Sequence, residues 1–150
     1  MRLNLSSDYA LRLLMYLAAN QERLCTITEI AEHYDISRTH LMKVTHGLGK
    51  HCWIQTIRGK NGGMKLAKPA SDIKVGSVIM DCEADFQLVE CMGEGSQCVL
   101  DGSCKLNTIL HGAKHAFITH LQQYTLEQLI TPASYAVLNF HPAPLSLSTD

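Results

Sequence analysis

Three cysteines, Cys91, Cys98 and Cys104, follow one another as C-x6-C-x5-C, interspersed with Gly93, Gly95 and Gly102. Glycine lets a backbone wrap closely, and three thiolates meet only if this segment folds over a common centre. Structural zinc normally takes its cysteines in C-x2-4-C pairs, a spacing absent here. Iron-sulfur clusters take thiolates at varied spacings and accept another ligand at one corner. Spacing alone therefore leaves three chemistries open: an iron-sulfur cluster, zinc, and thiol redox chemistry or plain packing. Cys25, Cys52 and Cys82 read as small core hydrophobes. The N-terminus has no signal-peptide layout, so a cytoplasmic chain without a disulfide framework is expected. No apolar run reaches the roughly 18 to 20 residues of a membrane span, so no membrane partner is expected.

A second chemistry lies in the charge distribution. The formal net charge is only -1, but residues 1–70 carry 10 Lys+Arg against 5 Asp+Glu, and residues 71–150 carry 3 against 9. From Ile36 to Ala70 there are seven basic residues, Arg38, Lys43, Lys50, Arg58, Lys60, Lys65 and Lys68, and no acidic one. Solvated faces usually mix signs, so this segregation is the footprint expected for a polyanion such as double-stranded DNA.

The elements that must position these groups follow from periodicity. Ala10, Leu13, Leu14, Leu17 and Ala18 share one helical face, predicting a first helix over about residues 7–20 with Ser6 or Ser7 as cap and Asp8 in its first turn. Thr26 and Glu29 make a T-x-x-E capping box for a second short helix, with Ile27, Ile30, Ala31 and Tyr34 on its apolar face. Asp35 and Ile36 form a tight connection to Ser37, the N-cap of a third helix that turns Leu41, Val44 and Leu48 inward. Two short helices across a brief turn are a helix-turn-helix. Trp53, Ile54 and Ile57, then Met64 and Leu66, predict two strands flanking Gly59-Lys60-Asn61-Gly62-Gly63, within which Asn61-Gly62 is a strong hairpin signal. The whole of residues 26–68 thus reads as a helix-turn-helix with a basic β-wing.

After Pro69, Ser71 or Asp72 caps a helix carrying Ile73, Val75, Val78 and Ile79. Residues 85–103 read as an irregular loop. Leu106, Ile109, Leu110, Ala113, Phe117, Leu121 and Tyr124 then predict a long helix whose wide apolar stripe has too little chain around it, so pairing with a second copy is expected. Thr125 and Gln128 form another capping box before a brief helix to Ile130. His33, His46, His115 and His120 read as helix-surface residues without partners, and the six methionines as core filler. The fold class is mainly α with a small β-wing: residues 1–70 a winged helix-turn-helix DNA-binding domain, 71–130 the cysteine loop and dimerisation helix, 131–150 a flexible tail.

A reading helix contacts bases from its first turns while its flanks hold phosphates. Arg38, Thr39, His40 and Lys43 are the base-reading candidates, with Arg38 suited to a bidentate contact with guanine. Ser37 and the helix N-terminus suit phosphate. In the wing, Arg58, Lys60 and Asn61 suit backbone or minor-groove contact, and Gly62 and Gly63 permit close approach.

The segments S-S-D-Y-A-L-R from Ser6, S-R-T-H-L-M-K-V from Ser37 and R-G-K-N-G-G-M-K-L-A-K-P-A from Arg58, together with the three-cysteine loop, resemble the Rrf superfamily of winged-helix regulators, and within it the nitric-oxide-sensing repressors. The resemblance runs over residues 1–130. It implies a homodimer in which Cys91, Cys98 and Cys104 ligate an iron-sulfur cluster, 4Fe-4S in the best-understood members, with 2Fe-2S the alternative. It implies that Asp8, reaching across from the first helix of the other subunit, is the fourth ligand, although an Asp in a first turn is also stabilised by the helix dipole alone. It further implies a repressor that binds palindromic promoter DNA and releases it when nitric oxide nitrosylates the cluster. Two departures stand out. The gap between the first two cysteines is longer than usual, and IscR-like members carry a His where this chain has Asn107, a poor iron ligand. His111, one turn on, is a remote substitute.

Two other readings remain at this stage. One is an IscR-like or redox regulator with a 2Fe-2S cluster or none; the other is a zinc-stabilised or cluster-free winged helix that docks on a protein. An enzyme is not expected, because no Ser/His/Asp or Cys/His arrangement, phosphate loop or paired-carboxylate pocket is evident.

Overall fold

The computed structural model describes residues 3–83, 86–89, 92–93, 98–100 and 103–139; Cys91 lies outside them. Helix α1 (Leu5–Ala19) is followed by α2 (Ile27–Tyr34), α3 (Arg38–Lys50), strands β1 (Ile54–Ile57) and β2 (Gly63–Leu66), then α4 (Val75–Cys82), α5 (Lys105–Gln122) and α6 (Pro132–Leu138). Short 3-10 turns at Ala70–Asp72 and Glu127–Leu129 link the later helices. The result is mainly α with one two-stranded antiparallel sheet, as the periodicities predict.

The core is built on α1. Ala10, Leu13, Leu14, Tyr16 and Leu17 are all at most 1% exposed, and they meet Ile30 of α2, Leu41 and Leu48 of α3, Met64 of β2, Val78 of α4 and Leu138 of α6 in one cluster. The helix starts two residues earlier than predicted, because Asn4, not a serine, is the N-cap: its side chain accepts from the Ser7 N–H. Ser7 is instead fully buried.

Helix α2 opens on the predicted box, with Thr26 Oγ1 accepting from the Glu29 N–H and Glu29 Oε2 from the Thr26 N–H. Arg23 holds the same carboxylate through a 2.6 Å ion pair, and Tyr16 donates to it from α1. Asp35 ends α2 at φ 52, a left-handed turn that Asp tolerates, and Ile36 N–H returns to Ala31 C=O. His33 is not a bare surface residue: its ring packs edge-on against Tyr16 and Tyr34 at 5.0 and 4.9 Å.

The hairpin forms with a five-residue loop as expected, displaced by one residue from the predicted 59–63. Pairing of Ile57 with Gly63 leaves residues 58–62 as the loop, and the left-handed residue in it is Gly59 at φ 118. Gly63 has a separate duty: a Cβ there would lie 2.8 Å from the Cys25 carbonyl, because Cys25 pairs with Met64 alongside the sheet. Cys25 is buried as expected; Cys52 is not. It sits exposed at φ 57, where the chain leaves α3 and reverses into β1. The methionines likewise divide, with Met64 in the core and Met42 and Met80 more than half exposed.

Helix α4 begins later than predicted, with Lys74 as N-cap. It packs on α5 through Gly76, where a Cβ would meet Gln122 and the Ile118 carbonyl at 2.9 to 3.0 Å. No residue of α5 is buried, and Leu106 and Ile109 are 59% and 58% exposed. On the helical wheel Leu106, Ile109 and Ala113 face away from the side occupied by Ile118 and Gln122.

Residues 131–139 differ from the loose tail expected there. Thr131 and Ser134 form a capping box, Pro132 takes the first helical position, and α6 buries Leu138. Asn20, buried at the end of α1, donates to the carbonyls of Tyr16 and Leu138. Pro132 marks a helix start, where a missing N–H costs nothing. Residues 140–150 lie outside the described ones.

Removing the Thr26 cap (Thr26→Ala) is expected to lower unfolding stability in urea by about 1 kcal/mol. Burial alone would raise the Glu29 pKa, but the Thr26 N–H and Arg23 outweigh it and hold the carboxyl below its ordinary value. A depressed folded pKa gives stability that is present above the unfolded carboxyl value and lost as pH falls through the folded one. Urea titrations from pH 6 to pH 3 should therefore show a shallower acid loss in Glu29→Gln than in the parent protein.

Candidate nucleic-acid interface and cysteine segment

The reading surface begins with the pattern of α3. Leu41, Val44, Thr45 and Leu48 face the core, so Arg38, Thr39, His40 and Lys43 are left exposed. Ser37 is the N-cap but makes no side-chain cap bond, and the first turn holds no acidic residue. Such an end presents unspent N–H groups to an anion. Met42, His46 and Lys50 are also exposed. With Thr39 and Lys43 they complete the outward face at i, i+3, i+4, i+7 and i+11. The same spacing in the sequence would have found them.

Arg58, Lys60 and Asn61 are exposed at the wing tip, with Gly62 half-buried behind them. Gly62 N–H donates to the Gly59 carbonyl, and a Cβ on it would collide with the Ile57 carbonyl. Its part in the wing is thus to close the loop. Lys68 stands 4.3 Å from the Trp53 ring centre, a cation-π contact that ties the wing's end to its beginning. Among the described residues, Arg38, Lys43, Arg58 and Lys60 have no carboxylate within ion-pair distance, which leaves their charge available to phosphate.

At the other end of the domain, Asp8 is half-buried in the first turn of α1, and its carboxylate pairs with Arg12 at 3.0 Å. Arg12 in turn lies 5.9 Å from the Tyr34 ring centre on α2, and Tyr34 Oη donates to the Arg12 carbonyl at 3.0 Å. Asp8 is therefore two contacts from the helix-turn-helix.

Of the three clustered cysteines, Cys98 is exposed and Cys104 half-buried; Cys91 lies outside the described residues. Cys104 is the N-cap of α5, whose first turn has no acidic residue. A helix N-terminus stabilises a thiolate or an anionic metal cluster. No three metal-ligating side chains converge among the described residues. Two thiols, one of them at a helix N-terminus, are a soft donor set that fits an iron-sulfur cluster completed by further ligands. Phe86, at the start of the cysteine segment, stacks on Phe117 of α5 at 5.6 Å. Beside it a groove of about 380 Å³ runs between α4 and α5, lined by Met80, Phe86 and Ile118.

The other cysteines are chemically quieter. Burial pushes the Cys25 thiol up to about 11, and burial followed by the charges of Asp81 and Glu83 does the same for Cys82. Asn107 stands in the first turn of α5 and is half-buried.

Comparison with known proteins agrees with this geometry. The chain matches the model of the Rrf2 family, iron-dependent transcriptional regulators, over residues 3–132. It is 49% identical over 133 residues to the HTH-type transcriptional regulator NsrR of Oceanobacillus iheyensis, covering 87% of this chain and 90% of that protein. The NsrR of Halalkalibacterium halodurans is 44% identical over 133 residues, covering 87% and 91%. Among solved structures, CymR, the global cysteine regulator of B. subtilis, shares the fold with a TM-score of 0.71 at 22% identity, over 86% of this chain and 95% of that one. IscR of T. potens shares it with a TM-score of 0.67 at 22% identity, over 86% of each. The chain therefore belongs to the Rrf2 family of winged-helix transcriptional regulators. Within that family it is of the NsrR type. No helix among the described residues is long and apolar enough to cross a membrane.

Alkylation of the native, cluster-free protein with iodoacetamide at pH 8, read by peptide mass mapping, should modify the exposed Cys52 and Cys98 first. Cys25, with about one thiol in a thousand ionised at that pH, should react only after unfolding. Equal rates at Cys25 and Cys52 would contradict the packing described.

Proposed function

We propose that this chain is a nitric-oxide-responsive transcriptional repressor that binds a palindromic site as a homodimer and lets it go when its iron-sulfur cluster is lost or modified. The observation that carries the DNA half is the exposed, acid-free face formed by α3 and the wing. Arg38, Thr39, His40, Met42 and Lys43 read bases, with Met42 placed for an apolar contact to a thymine methyl. Ser37, Arg58, Lys60 and Asn61 hold phosphate or enter the minor groove, while Gly62 closes the turn that presents them. The long α5, with its apolar stripe uncovered, supplies the dimer contact.

Cys98 and Cys104 hold the cluster with Cys91, and Asp8 of the second copy supplies the fourth ligand. The 4Fe-4S form is the one assigned. When bound, it provides the iron that reacts with nitric oxide. To ligate, Asp8 must leave Arg12. That pair is nearly half exposed on both sides, so the exchange costs little, at most about 1 kcal/mol. Release of Asp8 gives Arg12 its partner back and alters the contact with Tyr34 on α2, which reaches the reading head through packing.

Anaerobic purification with visible absorption, followed by nitric oxide titration against DNA binding, tests the reading. A coloured protein that loses its duplex on titration is expected. A colourless anaerobic protein that binds equally with and without nitric oxide would sink it. Binding should weaken with salt at a log-log slope of about -0.9 per phosphate neutralised, and Lys60→Ala should reduce that slope by about one phosphate's worth. Asp8→Ala should weaken duplex binding by the cluster-loaded form, although Asp8 lies away from the exposed face of α3 and the wing, and should affect the cluster-free form less.

A further inference from the structure

The last turn of α4 carries two carboxylates that grip opposite parts of the molecule. Glu83 holds the N-terminus of α1: its Oε1 accepts from Asn4 N–H at 2.8 Å and from Ser7 Oγ at 2.6 Å, and its Oε2 accepts from Asn4 Nδ2 at 2.9 Å. Asn4 Nδ2 also donates to the Cys82 carbonyl at 3.1 Å. These bonds span nearly eighty residues of sequence and end on the fully buried Ser7, next to Asp8. Two residues earlier, Asp81 Oδ2 accepts from Trp53 Nε1 at 2.8 Å and lies 3.5 Å from His51 Nδ1.

Trp53 is a rigid bracket. Its N–H donates to Leu48 at the end of α3, its carbonyl accepts from Ala67 after β2, its ring is 7% exposed, and Lys68 lies over that ring. Holding the indole therefore holds both the end of the reading helix and the base of the wing. From Glu83 the chain runs directly into the cysteine segment, whose Phe86 is docked on α5.

We propose that the last turn of α4 is the relay of this regulator, with Glu83 the positioning residue that receives the state of the α1 N-terminus and the cysteine segment, and Asp81 the positioning residue that passes it to α3 and the wing through Trp53. Both residues lie at the end of α4, away from the exposed face of α3 and the wing, and neither is among the ligands proposed for the cluster. The part played by the cysteine segment rests on the function proposed above; the link from α1 to Trp53 does not.

The test is a double-mutant cycle on the full chain in its reduced, cluster-free form, using Glu83→Ala and Asp81→Leu. Trp53 is the sole tryptophan, so its fluorescence reports the Asp81 bond without interference. The duplex is one selected from a random library by the parent protein. Glu83→Ala should shift Trp53 emission and weaken duplex binding about fivefold, the scale of coupling within one hydrogen-bonded network. In the Asp81→Leu background the same substitution should change neither, whereas Asp81→Asn, which keeps an acceptor for the indole, should retain the response. A merely structural role would lower stability without this dependence. If Glu83→Ala does not fold, Asn4→Gly cuts the Asn4 side-chain bonds to Glu83 and Cys82 while leaving an acceptable cap. Effects that multiply, or a Trp53 emission that ignores Glu83, would overturn the relay.

A second measurement separates this from the function it extends. In cluster-loaded protein, a parent that responds to nitric oxide while Asp81→Leu responds equally overturns the relay and keeps the sensor. A parent that holds no cluster removes the sensor, and the cycle in cluster-free protein still decides the relay.

Discussion

The burial of α1 is the interaction on which the rest of the structure depends. Leu13, Leu14 and Leu17 each contribute roughly 1.5 to 3 kcal/mol when withdrawn from water, and what withdraws them is chiefly α3 of the helix-turn-helix, β2, α4 and α6, with Ile30 of α2 in the same cluster. A helix with that many partners has little freedom to move alone. Any displacement of its first turn is felt by α2 through Tyr34 and Arg12, and by α4 through Glu83. The dense packing that fixes the reading head also joins it mechanically to Asp8.

The sequence showed most of this architecture because the relevant signals are local. The T-x-x-E box at Thr26, the inward spacing of Leu41, Val44 and Leu48, and the switch to short strands after Trp53 each depend on near neighbours, and the structure matches them. Departures occur where a distant group decides. Asn4 caps α1 in place of Ser6 or Ser7 because Glu83, far along the chain, holds both Asn4 and Ser7. Cys52, by contrast, departs for a local reason, since it sits exposed in the left-handed reversal out of α3. The helix at Pro132–Leu138 was legible as Thr-Pro-x-Ser, a cap followed by a first-turn proline, yet its cause is a contact with Asn20 that no local pattern encodes.

The candidate site divides in the same way. The basic residues of α3 and the wing stand out in the sequence because charge segregation needs no knowledge of the fold. Met42 and His46 carry no such charge signal and are legible only through the inward spacing of Leu41, Val44 and Leu48, which leaves them on the outward face of α3. The cysteine spacing, by contrast, offers three candidate thiolate ligands but neither the group they would hold nor what would complete its coordination. A fourth ligand drawn from another copy is a property of an assembly, and nothing in one chain's spacing reports it.

The two carboxylates on α4 also bound what such a switch can do. A hydrogen bond in a partly solvated setting contributes about 0.5 to 1.5 kcal/mol net, and a tenfold change in an equilibrium needs about 1.4 kcal/mol. The signal passes in series through the one bond to Trp53, so the relay can move duplex affinity by up to about tenfold, and not by four powers of ten. Shifting a population almost completely from one state to the other takes about 5.5 kcal/mol of differential affinity. A relay of this strength grades the occupancy of promoters according to their intrinsic affinity: a weak site empties on a small displacement of α4, and a strong one holds. The high net positive charge of the reading surface, which raises affinity for all DNA alike, sets where on that scale each promoter falls.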